Sequence, residues 1–382
     1  MAISNRSRYE LSAYLFTRDI QRSMSAAPSP YRITAADLRA FVASVFRATG
    51  SSDAEARIVG DHLVDANLAG HDSHGVIRVA KYLDWHAKGM VLANRHAVVV
   101  REAPGHAVVD GQFGYGQVIG REAMDLAIAK ARQSGLCVVA IRNAGHLGRI
   151  GAWAEQVAHA GFASIHFVNT SGFGILVAPF GGTDRRLSAN PIAAGAPGPN
   201  GAPLVLDIST SAIAEGKIQV AKNRGEQLPE GCTIDAAGNP NRDPVTFYGP
   251  PAGALLPVGG HKGYGLSIFC EILAGALSGG QTTNPDNATA GRLVNNMTSV
   301  IFDPAAFCGE DAFSAEIARM VAWVKASPPA MPGGQVLLPG EIEQQTRAQL
   351  ETTGIPLDAV TRGQIADSVR TLAVALPPGF AA

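Results

Sequence analysis

Two apolar runs, at 98–102 and 107–110, face each other across Pro104-Gly105. A proline–glycine pair between such runs marks a hairpin, and a hairpin makes antiparallel strands. Further strand-like runs lie at 136–141, 163–169, 192–196, 204–208, 297–302 and 336–338. Their spacing is not that of regular strand–helix–strand units. Helix-period segments come between them, at 117–134, after the turn at 145–151, at 262–277 and at 312–325. The last carries Ile317, Met320, Val321 and Val324 on one side. Interleaved strands and helices of this kind predict an α/β or α+β fold with antiparallel pairs.

The ends are helical. Thr34 with Asp37 makes a capping box ahead of Leu38, Phe41, Val45 and Phe46, and Gly50 ends that helix. Ser52 with Glu55 opens a second helix running to Gly70, and a third ends near Gly89. The folded part is therefore expected to begin with three helices. Two more close the chain around Gly354-Ile355-Pro356. Residues 1–30 mix Arg8, Arg18 and Arg22 with Leu11, Tyr14, Leu15 and Phe16 and lead to Ala26-Ala27-Pro28-Ser29-Pro30. They lack the unbroken apolar stretch of a secretory signal, and Glu10 and Asp19 are foreign to a transit peptide. They read as a loosely attached extension.

With 382 residues, 46% apolar and 16% charged, the chain is a packed globular protein of two or three domains. A formal net charge of −1 gives no electrostatic case for nucleic acid or an anionic membrane. No apolar run is long enough to span a bilayer. Cys137, Cys232, Cys270 and Cys308 are far apart in sequence, which fits a reducing cytoplasm better than a disulfide framework or a metal cluster.

Chemistry-bearing residues gather at turns. In 70–82, Gly70 stops one helix and Asp72 or Ser73 can cap the next. Within that next helix His74, Arg78 and Tyr82 are spaced i, i+4, i+8 and share a face. Imidazole, guanidinium and phenol in one stripe suit a small carboxylate bearing a reactive oxygen, and they also suit a solvated face with a capping serine. His146 and Arg149 lie in Gly145-His146-Leu147-Gly148-Arg149-Ile150-Gly151, where His146 can act as acid or base or can merely pack. The glycine spacing there is not GxGxxG, so a Rossmann domain is disfavoured. Asp207 ends the apolar run at 204–208, ahead of Ser209 and a helix expected to open at Thr210-Ser211. It can accept ribose hydroxyls, fix a histidine or cap a helix. His261-Lys262 follows Gly259-Gly260 and can meet a phosphate or simply face water. Pro339-Gly340-Glu341 is a similar turn. Gly216-Lys217 is followed by Ile218, so there is no P-loop, and no GxSxG elbow occurs. His71 and His74 have no third ligand near in sequence, and no metal site is expected.

Together these motifs resemble the type 2 malate/L-lactate dehydrogenases, over about 33–372. The residues that carry the likeness are Asp72-Ser73-His74-Gly75, Gly145-His146 with Gly148-Arg149, Asn190-Pro191, the run at 207–217, His261-Lys262-Gly263-Tyr264-Gly265 and Leu338-Pro339-Gly340-Glu341. Within the family the hydroxycarboxylate dehydrogenase B branch is nearest, through Ser164-Ile165-His166-Phe167-Val168 and Trp323-Val324-Lys325-Ala326-Ser327-Pro328. The resemblance implies a cytoplasmic oxidoreductase interconverting 2-oxo and 2-hydroxy acids with NAD or NADP, NAD favoured. Cyclic imino-acid reduction, ureidoglycolate oxidation and a non-catalytic nucleotide-binding scaffold are the alternatives on the same frame. It implies a mostly antiparallel, non-Rossmann cofactor domain over 116–340, a helical substrate and dimerisation domain from 31–115 plus 341–382, and a homodimer. By position, His74 matches the proton donor and acceptor, His146 a second histidine near the substrate, and Arg78 a carboxylate contact. Cofactor contacts fall at His74, at Gly148, Arg149 and Ile150, and along Val205, Leu206, Asp207, Ile208 and Ser209. Further ones fall at His261, Lys262, Asn295, Gly340, Glu341, Ile342 and Glu343.

Overall fold

The computed structural model describes residues 31–287 and 291–381; the extension expected over 1–30 lies outside the described residues. The helical part comes first: β1 (Tyr31–Ile33), α1 (Ala35–Ala48), α2 (Asp53–Leu68), a 3-10 turn (Asp72–His74) and α3 (Arg78–Ala87). Then come β2 (Val98–Ala103), β3 (His106–Asp110), α4 (Gly116–Ser134), β4 (Leu136–Ala144), α5 (Gly151–His159), β5 (Ala163–Gly172), β6 (Ile192–Ala196) and β7 (Leu204–Ile208). They are followed by α6 (Glu215–Arg224), β8 (Thr233–Ile234), β9 (Pro240–Asn241), α7 (Pro244–Tyr248), β10 (Ala254–Leu255) and α8 (His261–Cys270). After a π-helical turn (Glu271–Ala276) come β11 (Leu293–Phe302), α9 (Pro304–Phe307), α10 (Glu310–Lys325), α11 (Glu341–Thr353), β12 (Ile355–Leu357) and α12 (Ala359–Val369).

Seven strands form the main sheet in the order β2-β3-β4-β11-β5-β6-β7. Every neighbouring pair is antiparallel except β3 and β4, which α4 joins as a parallel crossover. The expected hairpin at Pro104-Gly105 is present, with Ala103 opposite His106. β11, remote in sequence, enters the centre of the sheet and runs against both β4 and β5. The class is mixed α/β with a mostly antiparallel sheet, as the motifs implied.

Two apolar cores flank the region where the motifs meet. One packs Leu38, Phe46, Leu63, Tyr82 and Trp85 against Ile355, Ile365, Val369 and Phe380, so the two ends of the chain share one core. The pairing of β1 with β12 ties them together. The other packs α4 and α5, through Ala123, Met124, Ala127, Trp153 and Val157, onto Val139, Ile141, Ala193 and Val205 of the sheet. Burying a side chain of the Val, Leu or Phe class stabilises by about 1.5–3 kcal/mol, which makes these two clusters the main driving force.

Several expectations need correction. The described residues begin with β1, ahead of the helices expected to come first. His74 and Arg78 do not share a helix: the 3-10 turn ends at His74, Gly75 is extended, and α3 starts at Arg78 with no side-chain cap. Asp72 instead accepts from Asn67 Nδ2 at 2.6 Å. The helix placed at Thr210-Ser211 starts at Glu215. The segment 262–277 is α-helical only to Cys270 and then widens into the π-helical turn. Residues 336–338 form no strand. The amphipathic helix at 312–325 is present as α10, but none of its residues is buried.

Candidate active site

The 3-10 turn, α3 and the β4–α5 turn bring His74, Arg78, Tyr82 and His146 together. The His74 and His146 rings stack, with centroids 5.5 Å apart and planes 19° from parallel. His74 Nδ1 lies 3.0 Å from Ser73 Oγ. His146 Nδ1 lies 2.7 Å from Tyr82 Oη. Nε2 of each ring has no partner among the described residues. Arg78 Nε donates to Ser73 O at 2.6 Å, which fixes the stem and leaves both terminal nitrogens of the guanidinium without a partner among the described residues.

Burial and charge act on these rings in the same direction. Burial first, then the positive charge of Arg78, pushes the His74 imidazole down to about 3. The same two causes, with His74 itself, hold His146 well below the usual imidazole value. Two neutral imidazoles therefore face a cation whose terminal N–H groups are open. Such a cation is made for a bidentate carboxylate.

A second cluster backs the first. Arg149 N donates to His62 Nε2 at 3.0 Å, and His62 stacks on Trp153 with centroids 5.0 Å apart. The Arg149 guanidinium is buried, pairs with Glu155, and leaves Nε and Nη1 without partners. Asp207 Oδ2 accepts from Gly151 N at 2.8 Å, so this strand-end acid caps α5 from outside the helix. Burial pushes its carboxyl up, against the charges of His71 and Arg149 and the bond from Gly151. His71 Nε2 lies 3.3 Å from Glu343 Oε1, which brings the start of α11 to the edge of the site.

The remaining expected residues are placed as follows. Ile150 and Val205 are buried, and Val205 N donates to Pro339 O at 3.1 Å, so the Pro339-Gly340 turn is stitched to edge strand β7. Leu206 and Ile208 on that edge are exposed. Gly148 has a φ of +74°, and Gly340 one of +91°. Ser209 Oγ donates to Ala189 O on the segment before β6 and shares a hydrogen bond with Ser211 Oγ in its own turn. Asn295 is engaged at both ends of its amide: Oδ1 accepts from Leu147 N at 2.9 Å, and Nδ2 donates to Thr170 Oγ1 and Asn169 O. It holds the His146 turn from behind. Glu341 pairs with Lys325 and accepts from Leu338 N, while Ile342 is exposed.

His261 and Lys262 are exposed at the start of α8, whose N-terminus has no side-chain cap. They adjoin a cavity of about 470 Å³ lined by Phe180, Ala212, Pro257 and Gly260 among others. The loop before α8 is joined to the segment before α6 by Val258 N donating to Thr210 O. A Cβ built on Gly216 of α6 would come within 3.0 Å of Ser73 Cβ. The strip of chain at 210–216 thus runs from the loop before α8 to the His74 turn. Gln117 and His62 carry this geometry without having been singled out from sequence. Gln117 is a polar residue in an otherwise apolar helix start, and His62 lies on α2 among mostly buried positions; neither pattern is distinctive alone.

The geometry has relatives. A family model described as malate/L-lactate dehydrogenase matches residues 33–366. Hydroxycarboxylate dehydrogenase B of Escherichia coli O157:H7 is 45% identical over 346 residues, covering 90% of this chain and 95% of that protein. L-lactate dehydrogenase of Cupriavidus necator is 44% identical over 299 residues, covering 77% and 85%. The solved structure of malate dehydrogenase from Pyrococcus horikoshii superposes with a TM-score of 0.81 at 32% identity, covering 91% of this chain and 97% of that one. By motif, by architecture and by identity along nearly its whole described length, the chain belongs to the malate/L-lactate dehydrogenase family.

Proposed function

We propose that this chain interconverts 2-oxo and 2-hydroxy carboxylic acids with a nicotinamide dinucleotide, NAD favoured over NADP, as a homodimer in the cytoplasm. The observation that carries the reading is the stacked His74–His146 pair beside an Arg78 guanidinium with open terminal N–H groups. An Arg fork holds a carboxylate in one orientation, and so places the neighbouring carbonyl or hydroxyl carbon at a fixed distance from the imidazoles. In the oxidising direction neutral His74 removes the hydroxyl proton. In the reducing direction His74 takes up a proton and delivers it to the carbonyl oxygen. The substrate carboxylate favours that uptake, because it offsets the Arg78 charge that, after burial, holds His74 neutral.

The residues present fit a dinucleotide. The uncapped start of α8, the exposed Lys262 and His261 and the adjoining cavity form a donor set for phosphate. The turn at Gly148, Arg149 and Ile150, the strand at 205–209 and the turn at 340–343 would flank the rest. When bound, the nicotinamide supplies or accepts the hydride. The division of labour follows: 116–340 holds the cofactor, and 31–115 with 341–382 supplies the helical walls of the substrate site. Three buried cysteines and one exposed one, all free, suit a reducing compartment. Among the described residues no helix is long and apolar enough to cross a membrane.

A panel of 2-oxo acids and cyclic imines, each offered with NADH and with NADPH, tests the reading. Turnover is expected with at least one 2-oxo acid. His74→Ala should lower kcat by roughly 100-fold or more while leaving the Kd for NADH within about twofold. Turnover confined to imines would move the substrate class to imino acids. Cofactor binding without turnover on any panel member would leave a scaffold and end the proposal.

A further inference from the structure

The two histidines of the site are held differently, and the difference assigns their hydrogens. Gln117, at the second position of α4, is fully buried. Its Nε2 is 3.1 Å from the His146 carbonyl oxygen and 2.9 Å from Tyr82 Oη. A carbonyl oxygen only accepts, so the Gln117 amide nitrogen must face it. Flipping the amide would set two acceptors against each other, although the present orientation leaves Gln117 Oε1 without a partner. The same nitrogen then donates to Tyr82 Oη. That hydroxyl has one hydrogen of its own, and its remaining neighbour, at 2.7 Å, is His146 Nδ1. Tyr82 is 2% exposed, and its phenol is pushed up to about 12 by burial, so the O–H is intact and has no water to turn to. If Nδ1 carried a hydrogen, the Tyr82 O–H would be a buried donor with no acceptor, at a cost of about 1–3 kcal/mol.

His74 is under no such constraint. Its Nδ1 faces Ser73 Oγ, a hydroxyl that is free to rotate and can donate or accept. Its ring can carry hydrogen on either nitrogen, as a group that gains and loses a proton must.

We infer that Gln117 and Tyr82 are positioning residues that lock His146 in its Nε2–H tautomer, making it a fixed hydrogen-bond donor to the substrate oxygen while His74 alone carries the proton. The inference rests on the proposed reading of the site for its function, but not for its geometry. His146 Nε2 has no partner among the described residues, and an N–H aimed at a carbonyl oxygen stabilises the negative charge that grows there as reduction proceeds. The bond strengthens toward the transition state, so its loss should appear in kcat more than in KM.

The test uses the full chain labelled with nitrogen-15 in histidine, and it reads each ring's tautomer by NMR at neutral pH. His146, assigned by its loss in His146→Gln, is expected as a single Nε2–H form in the wild type. Tyr82→Phe should release it to a mixture of tautomers and lower kcat for oxo acid reduction by roughly 10- to 100-fold. KM for the oxo acid and Kd for NADH should stay within about threefold. Gln117→Met, which removes the donor that orients Tyr82 together with its bond to the His146 carbonyl but keeps the Tyr82 hydroxyl, should give a smaller effect of the same sign. An Nδ1–H form in the wild type overturns the inference without any variant. So does Tyr82→Phe with unchanged tautomer and unchanged kcat. If no oxo acid is turned over while His146 is held as Nε2–H, the proposed activity fails and the lock stands. Turnover with an Nδ1–H ring fails the lock alone.

Discussion

At the scale of single residues, the burial of His74, reinforced by the charge beside it, decides what the enzyme does with pH. Burial and then Arg78 lower this imidazole to about 3, so the free protein keeps it neutral throughout the physiological range. A neutral base needs no prior deprotonation. For hydroxy acid oxidation, kcat/KM should therefore show no inflection from this group between pH 5 and 8. Oxo acid reduction needs the protonated ring, whose share falls tenfold per pH unit above its pKa. In that direction log kcat/KM should fall with a slope near −1 over the same interval. Arg78→Met removes the second largest cause of the depression, so the His74 titration should move upward toward 6.5. Because this variant also loses its carboxylate contact, the shift is best read by histidine NMR on the free protein. A wild-type inflection near 6.5 in the oxidation profile would contradict the assignment. Much of this was visible in the sequence: an imidazole and a guanidinium four residues apart, beside a serine, advertise themselves. Gln117 did not, because its role comes from facing the His146 carbonyl, 29 residues away in sequence.

Among elements, the turn at 72–74 shows where periodicity misleads. Spacing of i, i+4, i+8 put His74, Arg78 and Tyr82 on one helix, and only the last two are on it. The reason is Asn67, at the end of α2. Its Oδ1 accepts from Val76 N at 2.8 Å, and its Nδ2 holds Asp72. A Cβ on Gly75 would meet that Oδ1 at 2.2 Å, so only glycine lets the side chain reach in and break the helix there. The N-caps at Thr34 and Ser52 were readable because they act within four residues. Asn67 acts on a different element. The same kind of close approach supports His146: a Cβ on Gly116, the first residue of α4, would come within 2.3 Å of the His146 carbonyl oxygen. Gly116→Ala must push backbone against backbone, and a displacement on the order of 1 Å at a reacting group costs roughly 100-fold. That loss is expected in kcat/KM for the oxo acid, together with a lower Tm by thermal melting. Undiminished turnover would show that the α4 start does not position the His146 turn.

For the whole molecule, the described residues bury several apolar clusters and still leave apolar surface open. The strand runs and the two terminal helical regions could be read from the sequence, but their pairing could not. β11 enters between β4 and β5, laid down roughly 120 to 165 residues earlier, and β1 meets β12 across more than 300. What covers α10 was not legible for a related reason: amphipathic spacing says that a face will be covered, not by what. Trp323 on that helix is 81% exposed. Leu266, Phe269, Ile272 and Leu277 form another exposed line along α8 and the helical turn after it. A monomer seldom leaves so many large apolar groups in water. The homodimer proposed above would cover them, and α8 carries the His261-Lys262 end of the proposed cofactor site. Association there would therefore couple to activity. Phe269 and Ile272 each stand to contribute about 1.5–3 kcal/mol when covered, so replacing both with Asp should weaken the dimer by 100-fold or more. Sedimentation at micromolar concentration should show wild-type dimers and F269D/I272D monomers, the variant keeping its circular dichroism and losing most of its turnover. A wild-type chain that sediments as a monomer at high concentration, or a variant that stays dimeric, would place these side chains outside any interface and leave their exposure to be explained by a different partner.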